Sequence, residues 1–186
     1  MLGREGAPTT STKASRTTLD VILQSAAVDL FHNSGFAVAP LASCPVERLQ
    51  RYHEHVAMLG FDGPRLMGAL TLSIPGALLD ARAESSPTPA GSSNMLDWMS
   101  ELSNQLFGRV MNRLAVFQLR LRPHVPIGLS GPVLERLRKR TPTEVLYRFR
   151  TVRGDILVTL DAPLDDVTLA YSGSAQVAHE GDVILF

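Results

Sequence analysis

Apolar residues recur at helical spacing in two long segments of the chain. In residues 19–36 they follow one another at steps of three and four, and Asn33-Ser34-Gly35 provides a helix stop. In residues 95–114 the apolar positions that fall on one side of a helix are Met95, Met99, Leu102, Leu106 and Val110. Both segments therefore predict amphipathic helices that cover a hydrophobic core.

Alternation of apolar and polar residues, clearest in residues 65–74, and other strand-like runs mark the predicted strands. These are residues 37–41, 51–61, 65–74, 116–121, 145–152 and 155–160. Turn residues join two pairs of them into hairpins, at Asp62-Gly63-Pro64 and at Arg153-Gly154. A short helix is predicted at residues 77–82, and no repeat is evident in the sequence. The order of helix, paired strands, helix and paired strands predicts an α+β fold.

Length and composition indicate one compact domain. The chain has 186 residues, of which 45% are hydrophobic, and this is ordinary usage for a globular protein. Residues 1–18 lack an apolar pattern and are predicted to be a flexible tail. Residues 19–164 form the predicted domain, interrupted by a loop at residues 83–94, and residues 165–186 form an extension with no clear periodicity.

Charge and cysteine content indicate which kinds of partner and metal site to expect. Eighteen basic residues balance eighteen acidic ones, so no net field favours nucleic acid. Cys44 is the only cysteine and can form neither an internal disulfide nor a multi-cysteine zinc site. No segment has the apolar length of a membrane span. These features predict a cytoplasmic protein without membrane or nucleic-acid partners and without a bound metal.

The second predicted helix carries an unusual polar face. Opposite its apolar side lie Asp97, Glu101, Asn104, Gly108 and Asn112, which we call the candidate face. A solvated helix surface is one explanation, but such surfaces favour Glu, Lys, Gln and Arg over the poor helix formers Asn and Gly. A glycine at this position also permits the close approach of another backbone.

Asp97 has a structural explanation of its own. If Asn94 caps the helix, Asp97 occupies the third helical position. A carboxylate there interacts favourably with the helix dipole and resembles part of a capping box. Periodicity alone therefore leaves the role of Asp97 open and identifies no reaction.

The candidate face resembles the active-site helix of the CheC, FliY and CheX chemotaxis phosphatases. These proteins share Asp or Ser, three residues, Glu, two residues and Asn, followed by a later proline, which matches Asp97, Glu101, Asn104 and Pro126. Gly108 and Asn112 resemble the continuation of the family's helix, and the order of elements agrees over residues 19–164. The resemblance implies a single CheX/CheC-like domain with long helices packed on a mainly antiparallel sheet, and one active-site helix as in CheX.

The resemblance also implies a reaction. The substrate would be the aspartyl phosphate of a response regulator such as CheY, which brings its own Mg²⁺, so the protein needs no cofactor. Asn104 would orient the attacking water and Glu101 would dock the regulator, and the partner-binding residues would be Asp97, Gly108, Asn112 and Pro126. Two alternatives remain: a module that binds a regulator or flagellar-switch partner without hydrolysis, and a scaffold whose open sheet edge pairs with a second copy. The resemblance to CheX also implies a homodimer, which would form through a sheet edge.

Overall fold

The computed structural model of the protein describes residues 10–46, 53–85, 92–130, 141, 143–163, 169 and 171. Its helices are α1 (Thr10–Asn33), α2 (Gly76–Ser85) and α3 (Ser92–Leu114). Its strands are β1 (Ala39–Pro40), β2 (Cys44–Pro45), β3 (His55–Asp62), β4 (Gly68–Ile74), β5 (Arg122–Pro123), β6 (Ile127–Ser130), β7 (Glu144–Thr151) and β8 (Gly154–Asp161).

All eight strands belong to one antiparallel sheet. The order across it is β1-β7-β8-β4-β3-β5, with β2 also on β7 and β6 also on β3. The two predicted hairpins are present as β3–β4 and β7–β8, which meet where β4 pairs with β8. The α+β fold with long helices on an antiparallel sheet is confirmed.

The sheet has an internal two-fold arrangement that the sequence does not reveal. Each half contains a long helix, two short strands and a long hairpin, and the short strands of each half pair with the hairpin of the other. The connections match in detail, because Leu41 N donates to Arg148 O and His124 N donates to Gly60 O, both at 2.8 Å. The similarity lies in backbone pairing, which unrelated side chains can support equally well.

The apolar sides of α1 and α3 pack on one face of the sheet. The predicted core positions Met99, Leu102, Leu106 and Val110 of α3 are buried, and Met95 packs against them. Phe107 stacks on Phe61 of β3 with ring centroids 5.0 Å apart. Aromatic pairs of this kind add to the free energy of burial and hold α3 in register on the sheet.

Helix α1 begins earlier than the sequence predicted. It starts at Thr10, so residues 10–18 belong to the helix and not to a flexible tail. Polar contacts hold this end, because Ser15 is buried and Arg16 Nη2 donates to the Ala162 carbonyl oxygen at 3.1 Å. Hydrophobic periodicity cannot predict such polar contacts. The rest of the predicted tail, residues 1–9, and all of the predicted extension except Leu169 and Tyr171 lie outside the described residues.

The predicted strand at residues 116–121 is wrong. Helix α3 continues directly into a 3₁₀ turn at Ala115–Phe117, and Gln118 then takes a left-handed conformation with φ 54°. This conformation ends the helix, and strand pairing begins only at Arg122. The predicted loop at residues 83–94 is also shorter, since α2 ends at Ser85 and α3 begins at Ser92.

A buried tyrosine and a carboxyl group link α1 to β7 and give the fold a testable dependence on pH. Tyr147 is fully buried and donates to Asp20 Oδ1 at 2.5 Å. Burial raises the pKa of Asp20 above its ordinary value of 3.8, against the opposing effects of the Tyr147 hydrogen bond and the Arg16 charge. The folded protein therefore binds this proton more tightly than the unfolded chain does, and its stability falls as Asp20 ionises above pH 3.8.

We expect Asp20→Asn to gain stability relative to the wild-type protein as the pH rises above 3.8, because the amide oxygen still accepts from Tyr147 but carries no charge. Urea unfolding over a pH series measures the difference. Asp80→Asn, at an exposed position of α2, is the control and should show no such trend. A constant difference between Asp20→Asn and wild type across the series would contradict the assignment.

Candidate functional site

Helix α3 presents the candidate face to solvent as its periodicity predicts. Asp97, Glu101 and Asn104 are exposed, and Gly108 and Asn112 are half-buried. The helix holds this orientation because its opposite side packs against α1 and the sheet. The three exposed polar residues therefore stand on a rigid element and face the solvent.

The proposed cap at Asn94 is wrong. Helix α3 begins at Ser92, and its first turn contains no acidic residue. Asp97 therefore lies beyond the first turn, where the helix dipole has little effect. The structural explanation for a carboxylate at this position is removed, and the role of Asp97 on the face stays a prediction.

Glu101 is partly held in place by its own helix. Gln105 Nε2 donates to Glu101 Oε1 at 2.9 Å, across one helical turn. A carboxylate has two oxygens and several acceptor sites, so this bond leaves acceptor capacity for a cationic or amide group. Asn104 lies three residues along, on the same side of the helix. The face thus combines a fixed carboxylate with a neighbouring carboxamide.

A shallow groove runs beside this face. On the helix it is lined by Leu96, Asp97, Ser100 and Glu101, and on the other side by residues 126–128, around a volume of about 530 Å³. We call this the α3 groove. The structure therefore brings Pro126 together with Asp97 and Glu101. Asn104, Gly108 and Asn112 lie further along α3 and are not among the described residues that line the groove.

Gly128 determines how closely β6 approaches α3. A Cβ atom added to it would lie 2.9 Å from the Leu96 Cβ atom and 3.1 Å from the Leu96 carbonyl oxygen. Neither atom is the free end of a flexible side chain, so a larger residue would force the strand and the helix apart. The sequence pattern alone does not indicate the role of Gly128. The only signal was its place two residues after Pro126.

The strand segments on both sides of Pro126 are anchored to β3. Arg122 donates to Asp62 through Nε at 3.2 Å and Nη2 at 3.1 Å, and β6 pairs with the first half of β3. The hydrogen bond from Arg122, followed by its charge and that of His124, holds the pKa of Asp62 below its ordinary value despite some desolvation. Pro126 is thus fixed between two paired segments, which fixes the outer wall of the α3 groove.

Two apolar side chains project beside the groove. Val125 is 84% exposed and Ile127 is 53% exposed, and they flank Pro126 in the chain. Periodicity does not reveal them, because a single exposed apolar residue in a loop or a short strand produces no periodic pattern. Adjacent exposed apolar residues next to a polar groove are typical of a surface that contacts another protein.

Two further observations concern the described part of the chain. It contains no group of three or more His, Cys, Asp or Glu side chains placed to hold a metal ion. None of its helices combines the length and the apolar character that crossing a membrane requires. The candidate face and groove can offer hydrogen bonds, negative charge and an apolar rim to an approaching molecule.

Comparison with solved structures identifies the fold. CheX from Vibrio vulnificus matches with a TM-score of 0.67 and 12% sequence identity, over 78% of this chain and 99% of that chain. The CheX-CheY-BeF₃-Mg²⁺ complex from Borrelia burgdorferi matches with a TM-score of 0.64 and 12% identity, over 77% and 97%. FliY from Thermotoga maritima matches with a TM-score of 0.54 and 13% identity, over 83% and 91%.

No protein-family model matches the sequence, and no curated protein matches it. The similarity is therefore one of structure, extending over most of this chain and nearly all of each CheX chain. The resemblance in the order of elements is confirmed at the level of the fold, and the residue spacing on α3 stays a prediction. The chain has the fold of the CheX/CheC-like chemotaxis proteins.

Proposed function

We propose that the protein is a cytoplasmic phosphatase that hydrolyses the aspartyl phosphate of a CheY-like response regulator. One observation carries the proposal. The exposed residues Asp97, Glu101 and Asn104 have the residue spacing of the chemotaxis phosphatases, and they lie beside a groove that Pro126 lines on the other side. The fold supports it, because a CheX of the same fold has been solved in complex with CheY, BeF₃ and Mg²⁺.

Hydrolysis of the aspartyl phosphate depends more on the position of the attacking water than on a strong base. An acyl phosphate is already activated, and phosphoryl transfer proceeds through a loose transition state. The oxygen of a water molecule attacks phosphorus, the bond to the aspartyl oxygen breaks, and the products are the free carboxylate, inorganic phosphate and a proton released to solvent. Mg²⁺ brought by the regulator offsets the phosphate charge.

We assign to Asn104 the role of orienting the attacking water. Its carboxamide oxygen can accept a hydrogen bond from the water while its amide nitrogen donates another to the phosphoryl group. A rigid helix suits this task because an error of about 1 Å in placing the water slows such a reaction by about a hundredfold. The helix position of Asn104, exposed above a buried core face, meets that requirement.

Docking of the regulator is assigned to the other residues of the candidate face and to Pro126. Glu101 would pair with a cationic side chain of the regulator through the acceptor capacity that Gln105 leaves free. Gly108 fits the close approach of another backbone, since a Cβ added there would meet nothing within 4 Å among the described residues. Internal packing therefore does not require this glycine, which lowers helix stability by about 1 kcal/mol relative to alanine. Asn112 would extend the contact by one more helical turn, and Asp97 and Pro126 would complete it at the groove.

A second candidate function is a module that docks the regulator without hydrolysis. The exposed apolar pair Val125 and Ile127 favours it, because this rim would support binding whether or not turnover follows. A homodimer through a sheet edge remains a proposal. The outer strands of the described sheet have two to four residues each, and such short edges limit pairing with another copy.

Binding and turnover measured on the same receiver domains separate these functions. Each response regulator of the source organism is titrated in its Mg²⁺ and beryllofluoride form by calorimetry and is then assayed for phosphate release. A phosphatase binds one receiver and shortens the lifetime of its phosphate. Binding without faster release would favour the module, and the absence of both with every receiver would exclude both functions.

Val125 and Ile127, the apolar rim of the α3 groove, contribute to binding of the receiver, and a substitution can measure this contribution. We expect Val125→Ser to raise KM for the phosphorylated receiver about threefold to tenfold and to leave kcat unchanged, because a buried valine contributes roughly 1 kcal/mol or more to an interface. Val152→Ser is the matched control, since Val152 is 97% exposed on the β7–β8 turn. A fall in kcat with KM unchanged would show that Val125 acts in some way other than docking.

A further inference from the structure

A second groove lies away from the candidate face. It opens between the end of α1, helix α2 and the β7–β8 turn, and it encloses about 650 Å³. This volume lies within the range of roughly 300–1,000 Å³ that is usual for ligand pockets. We call it the arginine groove, because Arg82 and Arg153 are among the residues that line it. The described lining residues include no carboxylate.

Arg82 is held in a defined orientation by aromatic side chains. Its guanidinium carbon lies 4.3 Å from the centre of the Trp98 ring, and Trp98 in turn packs edge-on against Phe36 with ring centroids 6.0 Å apart. Stacking uses the flat side of the guanidinium group and leaves the N–H groups at its edges directed away from the ring. An arginine fixed in this way loses little side-chain freedom when it binds an anion.

Arg153 is carried by an ordered turn. The Thr151 hydroxyl donates to the Gly154 carbonyl oxygen at 2.6 Å and accepts from the Arg153 backbone N–H at 3.1 Å. Gly154 adopts φ 121°, which a residue with a side chain would resist. The turn also projects Val152, which is 97% exposed, so a positive and an apolar group stand side by side.

We infer that the arginine groove binds an acidic peptide segment of a partner protein, independently of the proposed phosphatase function. Arg82 and Arg153 come from different elements, and each can hold a carboxylate through two parallel N–H···O bonds. An apolar side chain between two acidic residues would lie against Val152 and Leu78. The charges are complementary, because positively charged groups stand in a lining without described carboxylates.

Trp98 provides the test, since it is the only tryptophan in the chain and stacks on Arg82. The full-length protein is titrated with a short blocked peptide of alternating glutamate and leucine, with tryptophan fluorescence and calorimetry as readouts. We expect saturable binding with a Kd of roughly 10–100 µM that weakens as salt is raised. The matched peptide of alternating glutamine and leucine should not bind.

Variants locate the binding site. Arg153→Gln and Arg82→Gln should each weaken binding about tenfold, as expected for loss of a charge-assisted pair. Calorimetry is the readout for Arg82→Gln, because this change also alters the surroundings of Trp98. Arg120→Gln, at an exposed arginine outside the groove, should leave the affinity unchanged. Asn104→Ala should also bind normally, which separates this proposal from the phosphatase one.

Three results would overturn the inference. They are the absence of saturable peptide binding up to about 1 mM, an affinity unchanged in both groove variants, and inorganic phosphate competing at the same concentration as the peptide. The last result would identify a simple anion site in place of a peptide site.

Discussion

Asn104→Ala is expected to slow phosphate release from the phosphorylated regulator by about a hundredfold, since it removes the group assigned to place the water. The side chain is exposed and faces away from the core, so folding should be unaffected. Affinity for the regulator should change by less than about threefold, because docking is assigned to other residues. Stopped-flow release of phosphate under single-turnover conditions, together with calorimetric titration, measures both quantities.

The matched control is Asn33→Ala. Asn33 is an exposed asparagine at the end of α1, so the same substitution is made on a different helix of the same protein. This variant should release phosphate at the wild-type rate. If Asn104→Ala retains at least half of the wild-type rate, the assignment of the water to Asn104 is wrong, even if the protein proves to be a phosphatase.

Gly128→Ala should affect both stability and activity. The added Cβ would stand 2.9 Å from the Leu96 Cβ atom and 3.3 Å from the Ser100 hydroxyl oxygen, so β6 and α3 must separate. Overpacking of this kind typically destabilises a protein by about 1–3 kcal/mol. Because Pro126 and Ile127 move with β6, the α3 groove should widen and kcat/KM for the phosphorylated regulator should fall at least tenfold. Urea unfolding and phosphate release are the measurements.

Gly76→Ala serves as the control for Gly128→Ala, because a Cβ at Gly76 would meet nothing within 4 Å in the part of the chain that the structure describes. It should change the free energy of unfolding by less than about 1 kcal/mol and leave phosphate release unaltered. A Gly128→Ala protein with wild-type stability and turnover would mean that the close approach of β6 to α3 does not determine the geometry of the site.

Regular elements with one buried side were predictable from the sequence. The apolar side of α3, the β3–β4 hairpin and the β7–β8 hairpin all follow from periodicity and turn residues, since each depends on local spacing. The prediction of a strand at residues 116–121 was wrong. The apolar residues Val116 and Phe117 belong to a 3₁₀ turn that continues α3. A short apolar run does not distinguish these two structures.

The candidate site was predictable only in part. The helix spacing placed Asp97, Glu101 and Asn104 on one exposed face, which local periodicity determines. The opposite wall of the α3 groove depends on the pairing of β6 with β3, between residues about seventy positions apart in the chain. For that reason Gly128 and the rim residues Val125 and Ile127 became visible only in the folded structure.

The two-fold arrangement of the sheet illustrates the same limit. The two-residue strand β1 pairs with β7, and the equally short β5 pairs with β3, at matching positions. Their sequences, Ala39-Pro40 and Arg122-Pro123, have only the proline in common, and each strand is too short to produce an alternating pattern. The relation is carried by hydrogen bonds between distant backbone groups, which an inspection of side-chain types does not detect.

Under the proposed function, the face formed by Asp97, Glu101 and Asn104 hydrolyses an aspartyl phosphate. The most direct test of this function is the lifetime of the phosphate on each purified response regulator of the source organism, measured alone, with wild-type protein and with Asn104→Ala. We expect the wild-type protein to shorten the lifetime on at least one regulator, and the variant to bind that regulator without shortening it. A lifetime equal to the regulator's own decay in the presence of wild-type protein, for every regulator, would contradict the claim.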